Sequence, residues 1–384
     1  MILINFYNQK GAGPKNIALN FINTAITKGG AEKFVILVPN FKEYKRLVSI
    51  ENVEFIKLLC PSSMIMKVIF RIYIEIFLIP FLVKKLHVRS LLAFGNFLFT
   101  PVNLRKIVLL HHPYLVDDKL FKQLPIREKV SESLKRFAFY LTTKNVNKVV
   151  VQSDYMKQLL IQKYPVGKFS IDVISNPISD SFRISDDYNF SALLEQRLST
   201  MTESIELLYV SRFYPHKNHK FLVLLSRYLN SKNIKNVIKV TVDPSIKEAA
   251  PFLRDIAKHD VSIINLTELK QSELIEHYKK AHFFIFPSEA ETFGNPLIEA
   301  MCFGLPVLVP SLDYARSVVA EAGTYFNEND VADCMVKVNS LVDDKDLYLF
   351  HSMLSLTRFK KYPTSSQWFE KYIFLINNDL VKIK

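Results

Sequence analysis

Residues 283 to 310 read FFIFPSEAETFGNPLIEAMCFGLPVLVP, and few folds can accommodate that order. The apolar run Phe283 to Pro287 has the length and composition of a buried parallel strand. A polar loop follows from Ser288 to Asn295, where Asn295 suits a helix N-cap and Pro296 the first helical position. Gly304 falls just past the last turn, and Val307 to Val309 make a second strand. This is one βαβ unit, and in open α/β sheets ligands bind beyond the carboxyl ends of the strands, where this loop must lie. The loop carries Glu289, Glu291 and Gly294, and the helix carries Glu299 one turn in. Backbone N–H groups around Phe293, Gly294 and Asn295 would attract a phosphate, and Gly294 lets a ligand approach without a Cβ in the way. Glu299 can accept hydrogen bonds from two neighbouring hydroxyls, such as those of a ribose. Taken singly, either glutamate is better explained by the helix dipole or by solvation; the combination with the glycine, the N-cap and the strand points to a ligand site.

The pattern S-E-x-E-x-F-G-x-x-x-x-E-A-M-x-x-G-x-P-V over these residues resembles the signature of retaining glycosyltransferase family 4. The resemblance implies the GT-B architecture, an α/β fold of two Rossmann-like domains with the active site between them. It also implies transfer from a UDP- or GDP-linked sugar to a hydroxyl, with Glu291 holding the donor sugar and Glu299 the ribose. Residues 205–330 carry it closely, 100–180 moderately and 1–90 loosely.

A chain of 384 residues exceeds one ordinary core and suggests two domains. The expected division is an acceptor-side domain at 1–185, a polar linker at 186–203, a nucleotide-sugar domain at 204–365, and a terminal helix at 366–384 returning to the first domain. Charge is lopsided: residues 1–200 hold 28 Lys and Arg against 15 Asp and Glu, net +13, whereas 201–384 hold 22 of each. A one-sided basic half suggests an anionic surface, lipid or nucleic acid. The family resemblance favours lipid and a polyprenyl-linked or glycan acceptor, of the kind used in O-antigen, lipopolysaccharide or capsule synthesis, with no nucleic-acid partner. Cys60, Cys302 and Cys334 show no metal or redox spacing and read as buried thiols of a reducing compartment. The start of the chain lacks the pattern of a signal peptide, so a cytoplasmic protein, peripheral on the inner membrane face, is expected.

Near the start, a strand is followed by Gln9-Lys10-Gly11-Ala12-Gly13-Pro14 and a helix from about Lys15. Strand, glycine loop and helix can cradle a phosphate, and an ordinary tight turn explains the glycines equally well. The resemblance places Gly11 on the acceptor or sugar side and Gly13 near the donor. Ser63 to Val83 is the most apolar segment, and Lys67, Arg71 and Glu75, spaced by four, form one polar stripe along it. It reads as a helix packed on the sheet with that stripe wet and with Pro80 breaking or bending it. The alternative is a helix in a membrane interface; the charges argue against a transmembrane span. His111 and His112 end the strand Lys106 to Leu110, and the resemblance gives His111 the donor-sugar contact, with His112 as the alternative. The basic amphipathic stretch Leu120 to Leu141 reads as a solvated face or a membrane or phosphate contact.

Arg212 and Lys217 follow the first strand of the second half and could neutralise a diphosphate, whereas solvated loop cations explain either one better taken singly. The resemblance assigns both that role. Asp344-Lys345-Asp346 has metal-ligand spacing but lies in a late surface turn, so no metal and no cofactor are expected. Leaving-group charge then falls to Arg212, Lys217 and the helix start at Gly294. Two rivals stand beside this reading: a non-catalytic protein on the same frame that binds polyanion or membrane, and a nucleotide-sugar epimerase.

Overall fold

The computed structural model describes residues 1–164, 169–178, 180–182 and 189–378. The chain divides into two compact units, Met1–Pro177 with Pro363–Lys384, and Ile178–Tyr362.

The first unit is built on seven parallel strands: β1 (Ile2–Asn5), β2 (Phe34–Pro39), β3 (Val53–Leu58), β4 (Ser90–Ala93), β5 (Arg105–Leu109), β6 (Lys148–Val151) and β7 (Ser170–Val173), ordered β3-β2-β1-β4-β5-β6-β7. The second unit repeats the plan with β8 (Ile205–Tyr209), β9 (Asn236–Val240), β10 (Ile263–Asn265), β11 (Phe283–Ile285), β12 (Val307–Pro310) and β13 (Gly323–Phe326), ordered β10-β9-β8-β11-β12-β13. The two doubly wound, Rossmann-like α/β units are the fold class the sequence implied. In each sheet the connections reverse beside the first strand, between β1 and β4 and between β8 and β11, and ligands bind beyond such points. The central strands are buried on both faces, and hence read as continuous apolar runs rather than alternating ones.

Each face of the first sheet carries its own core. On one, Ile2, Ile4, Ile36 and Leu92 meet the helix Ala12–Lys28 and the terminal helix Ser365–Asn378. Trp368, Phe369 and Tyr372 join Phe21 and Phe94 there, with the Trp368 ring 5.6 Å from that of Phe21. The terminal helix therefore belongs to the first unit. On the other face, Leu3, Leu91, Val108 and Val149 meet Ile74, Ile79 and Leu82 from one helical segment and Phe139 from another, Ile126–Asn145.

Several local expectations need correction. Helix Ala12–Lys28 starts earlier than Lys15, with Gly11 as N-cap, so Gly13 and Pro14 lie in its first turn. Proline fits there because those N–H groups have no intrahelical partner anyway. Residues 190–201, expected within a linker, form helix Phe190–Met201 with Leu193, Leu194, Arg197 and Met201 buried. Arg197 donates to the carbonyls of Tyr278 (2.8 Å), Lys279 (2.9 Å) and Phe303 (3.0 Å), which ties that helix to the second unit. Residues 186–188 of the expected linker, and 379–384 of the terminal segment, lie outside the described residues. Cys302 and Cys334 are buried as expected, but Cys60 is partly exposed.

Pro80 does not break the apolar segment. Helix Met64–Tyr73 runs through a π turn, Ile74–Leu78, into helix Ile79–Lys85. There the Ile79 N–H reaches back five residues to the Ile74 carbonyl, and this extra residue absorbs the proline. The polar stripe is also not wet at Arg71 and Glu75. The Arg71 guanidinium donates to the Phe97 carbonyl (3.3 Å), and Glu75 accepts from the Phe99 N–H (3.2 Å) and the Thr100 hydroxyl (2.6 Å). These bonds satisfy the backbone of a loop that no strand serves, which turns the charged stripe inward and the apolar face outward. Among the described residues no helix is long and apolar enough to cross a membrane.

Candidate functional site

In the second unit β8 pairs with β11, Leu207 opposite Phe283, so the loops after these strands emerge side by side. The first loop carries Arg212 and Lys217, and the second Glu289 and Glu291. Lys217 and Glu291 form an ion pair, with both side chains largely withdrawn from water. Ser288 adds a hydrogen bond to the same Glu291 oxygen (2.9 Å), and the Lys217 ammonium lies 5.3 Å from the Phe286 ring centroid. A buried framework holds the pair in place: the Tyr209 hydroxyl donates to the Lys217 carbonyl (2.7 Å), and Tyr314 to that of Ser288 (2.5 Å). The Glu289 N–H donates to the His216 carbonyl (2.8 Å), which stitches the two loops together. Burial raises the Glu289 carboxyl above the usual range and the neighbouring Glu328 charge adds to that, while a hydrogen bond with Asn329 opposes both.

The helix after β11 starts one residue earlier than expected. Its N-cap is Gly294, not Asn295, at φ 84°, and a Cβ there would stand 2.9 Å from Leu297 Cδ1. Only glycine takes this conformation without cost, and the turn directs the first N–H groups of helix Asn295–Cys302 outward. The Phe293 ring packs inward, buried against Tyr362, so a ligand meets this residue through its backbone. Glu299 accepts from the buried Tyr278 hydroxyl (2.8 Å), and burial pushes its carboxyl up to about 7 against the pull of that hydrogen bond. One of its oxygens is thus occupied by the protein. Arg212 is exposed, its guanidinium 6.0 Å from the Tyr214 ring centroid.

In the first unit, Gly11 and Gly13 follow β1, and a Cβ on Gly13 would meet nothing within 4 Å. The Gln9 side chain donates to the Phe94 carbonyl, and the Gln9 carbonyl accepts from Tyr44 (2.7 Å), so the loop is pinned from both sides. The two histidines after β5 differ. His112 Nε2 lies 2.9 Å from Glu132 Oε2, and Lys135 binds the other oxygen (2.5 Å). Burial raises the Glu132 carboxyl, but the hydrogen bonds from His112 and Lys135 outweigh it and hold it at about 2. His111 makes no such ion pair. Its N–H donates to Asn96 Oδ1 (2.7 Å), its Nε2 lies 3.4 Å from Asn96 Nδ2, and burial with the His112 charge lowers the ring to about 4. His111 is therefore a neutral imidazole near pH 7.

The structure thus unites Lys217 and Glu291, which the sequence reading had given separate tasks on phosphate and sugar, and leaves Glu299 with a tyrosine partner. Ser288, Tyr278, Tyr209 and Tyr314 were missed. Ser288 could have been found, since it begins the glutamate motif; the tyrosines lie outside the motif, and their hydroxyls reach the site only through the fold. Among the described residues no three His, Cys, Asp or Glu side chains group to hold a metal ion, and Asp344 caps helix Lys345–Phe359.

Two α/β units with charged loops at the carboxyl ends of their strands define a ligand-binding class, and comparison with known proteins narrows it. Residues 193–351, within the second unit, match the family model described as Glycosyl transferases group 1. The O-antigen chain mannosyltransferase RfbU of Salmonella typhimurium is 24% identical over 208 residues, which is 51% of this chain and 51% of that protein. The chain thus matches about half the length of this relative. Among solved structures, a glycosyltransferase from Rickettsia africae superposes with a TM-score of 0.72 at 17% identity, covering 100% of this chain and 99% of that one. HepE from Anabaena, solved with UDP and glucose, gives 0.70 at 13% identity, covering 98% and 99%. These last two likenesses concern the fold.

Proposed function

We propose that the chain is a retaining glycosyltransferase of the family 4 type, moving a sugar from a nucleotide-sugar donor to a hydroxyl of a glycan or polyprenyl-linked acceptor. The observation that carries the reading is the joined pair of loops after β8 and β11, where Lys217, Glu291 and Ser288 meet beside the helix start at Gly294. Breaking the bond from anomeric carbon to diphosphate leaves negative charge on the leaving oxygen. Arg212, Lys217 and the N–H groups after Gly294 are the donors to receive it, so that no metal is required. Glu299 keeps one oxygen for ribose hydroxyls. Glu291 would turn to the sugar as Lys217 turns to phosphate. His111, uncharged, would hydrogen-bond the sugar. Retention without a placed nucleophile implies that the acceptor oxygen bonds the anomeric carbon on the face the diphosphate leaves, its proton passing to the departing oxygen. RfbU, an O-antigen mannosyltransferase by name, supports an O-antigen or lipopolysaccharide setting, and HepE, solved with UDP and glucose, supports a nucleotide-sugar donor. A lipid-linked acceptor would bring the protein to the cytoplasmic face of a membrane.

A panel of UDP-, GDP- and ADP-sugars tests this by thermal shift and turnover on wild type and Glu299→Ala. One nucleotide should stabilise the wild type and the variant should lose the shift. The absence of any shift or turnover, together with tight binding to polyanion, would favour the non-catalytic rival instead.

A further inference from the structure

The segment 64–85 is amphipathic in the reverse sense. Arg71 and Glu75 are used up inside, on the loop 97–100, and Glu75 is 2% exposed. Outward stand Met64, Ile65, Ile69, Ile72, Phe77 and Phe81, with Ile65 74% exposed. Helix Ile126–Asn145 presents a second stripe, Ile126, Val130, Leu134, Phe137 and Leu141, at the three- and four-residue spacing of one helical face. The two helices flank one loop, because the second holds that loop from its own side. Thr142 accepts from the Leu98 N–H (3.1 Å), and Asn145 donates to the Leu98 carbonyl (3.0 Å). Both helices also cover the same face of the first sheet.

Apolar side chains in this number are not normally left in water, and their surroundings say what covers them. Between residues 62 and 89 the only carboxylate is Glu75, which is turned inward, whereas Lys67, Lys84 and Lys85 are exposed. Arg127 and Lys144 flank the second stripe, also exposed. The first unit as a whole holds 29 Lys and Arg against 13 Asp and Glu, net +16. Hydrocarbon facing outward with cations at its margins complements an anionic bilayer, whose acyl chains take the apolar groups and whose phosphates take the lysines.

We infer that the outward faces of 64–85 and 126–141 together form a docking surface that inserts into the headgroup region of an anionic membrane. This deepens the lipid-linked-acceptor reading but is read out by binding alone, so the two can fail separately. The test is flotation of the whole chain with phosphatidylcholine vesicles, with and without about 30% phosphatidylglycerol, at low and high salt. Wild type should float with the anionic vesicles and not with the neutral ones. Ile65→Ser/Ile69→Ser/Ile72→Ser should weaken binding at least about tenfold with an unchanged melting temperature, since these side chains are exposed. Lys84→Gln/Lys85→Gln should weaken binding at low salt and much less at high salt. Failure of the wild type to float, or equal flotation of the triple variant, would overturn the inference. So would a dimer in sedimentation that the triple variant dissolves while flotation is absent, because a second copy would then be what covers the surface.

Discussion

The two units share a strand order and part ways in chemistry. The first is net +16 and turns Arg71 and Glu75 inward to brace a loop, which leaves the apolar face of that helical segment outward. The second holds 21 Lys and Arg against 24 Asp and Glu, net −3, and pairs Lys217 with Glu291 where β8 and β11 end. Similar backbone scaffolds thus carry an outward apolar face in one case and a paired charge cluster in the other. What separates these two places is where their charges find partners: Arg71 and Glu75 on the backbone of a loop, Lys217 and Glu291 on each other beside the switch point of the sheet.

The sharpest way to separate the two kinds of region is to remove one anchor from each. Trp368→Ala, within the core between the first sheet and the terminal helix, should cost about 4 kcal/mol in denaturant unfolding while leaving nucleotide contacts of the second unit intact. Glu291→Ala strands the Lys217 ammonium and should cost about 3 kcal/mol, with turnover down at least about a hundredfold. Vesicle binding should be untouched by it, and a loss there would erase the division between the units. Gly294→Ala forces an L side chain into the left-handed region against Leu297 and should cost about 2 kcal/mol, read as a lower melting temperature.

The smallest predicted effect is the most diagnostic. Glu299 titrates near 7 in the folded protein, above its ordinary 4.5, because burial favours the neutral acid. The native state therefore keeps a proton that the unfolded chain releases, and stability falls as pH rises from about 4.5 through about 7. Ribose binding runs the other way, since the ionised carboxylate is the better acceptor. Nucleotide affinity should rise about tenfold between about pH 6 and about pH 8 in wild type, and stay flat in Glu299→Gln. Calorimetric titration at the two pH values decides it. A flat wild-type profile would remove Glu299 from the ribose.

Much of this was legible in the sequence because it is local. The βαβ unit at 283–310 follows from apolar runs, a proline at a helix start and Gly304 just past the helix end. Even so, the cap moved from Asn295 to Gly294, since the left-handed turn needs a residue without a Cβ. The orientation of the 64–85 segment was not legible. Spacing groups Lys67, Arg71 and Glu75 on one face, but which face meets water depends on a loop some 25 residues later whose backbone needs those charges. The Lys217–Glu291 pair was hidden for the same reason: its members lie 74 residues apart and meet only because β8 and β11 are neighbours. In the stretch read as linker, polar composition belonged to the outer side of a helix whose inner side is Leu193, Leu194 and Arg197.

Hydrogen–deuterium exchange of the whole chain, with and without UDP-, GDP- and ADP-sugars, tests the central claim most directly. The account predicts that one donor slows exchange at residues 211–218 and 288–299 and leaves 64–85 unchanged. Exchange unaltered at both loops by every donor, or protection found only in the first unit, would contradict it.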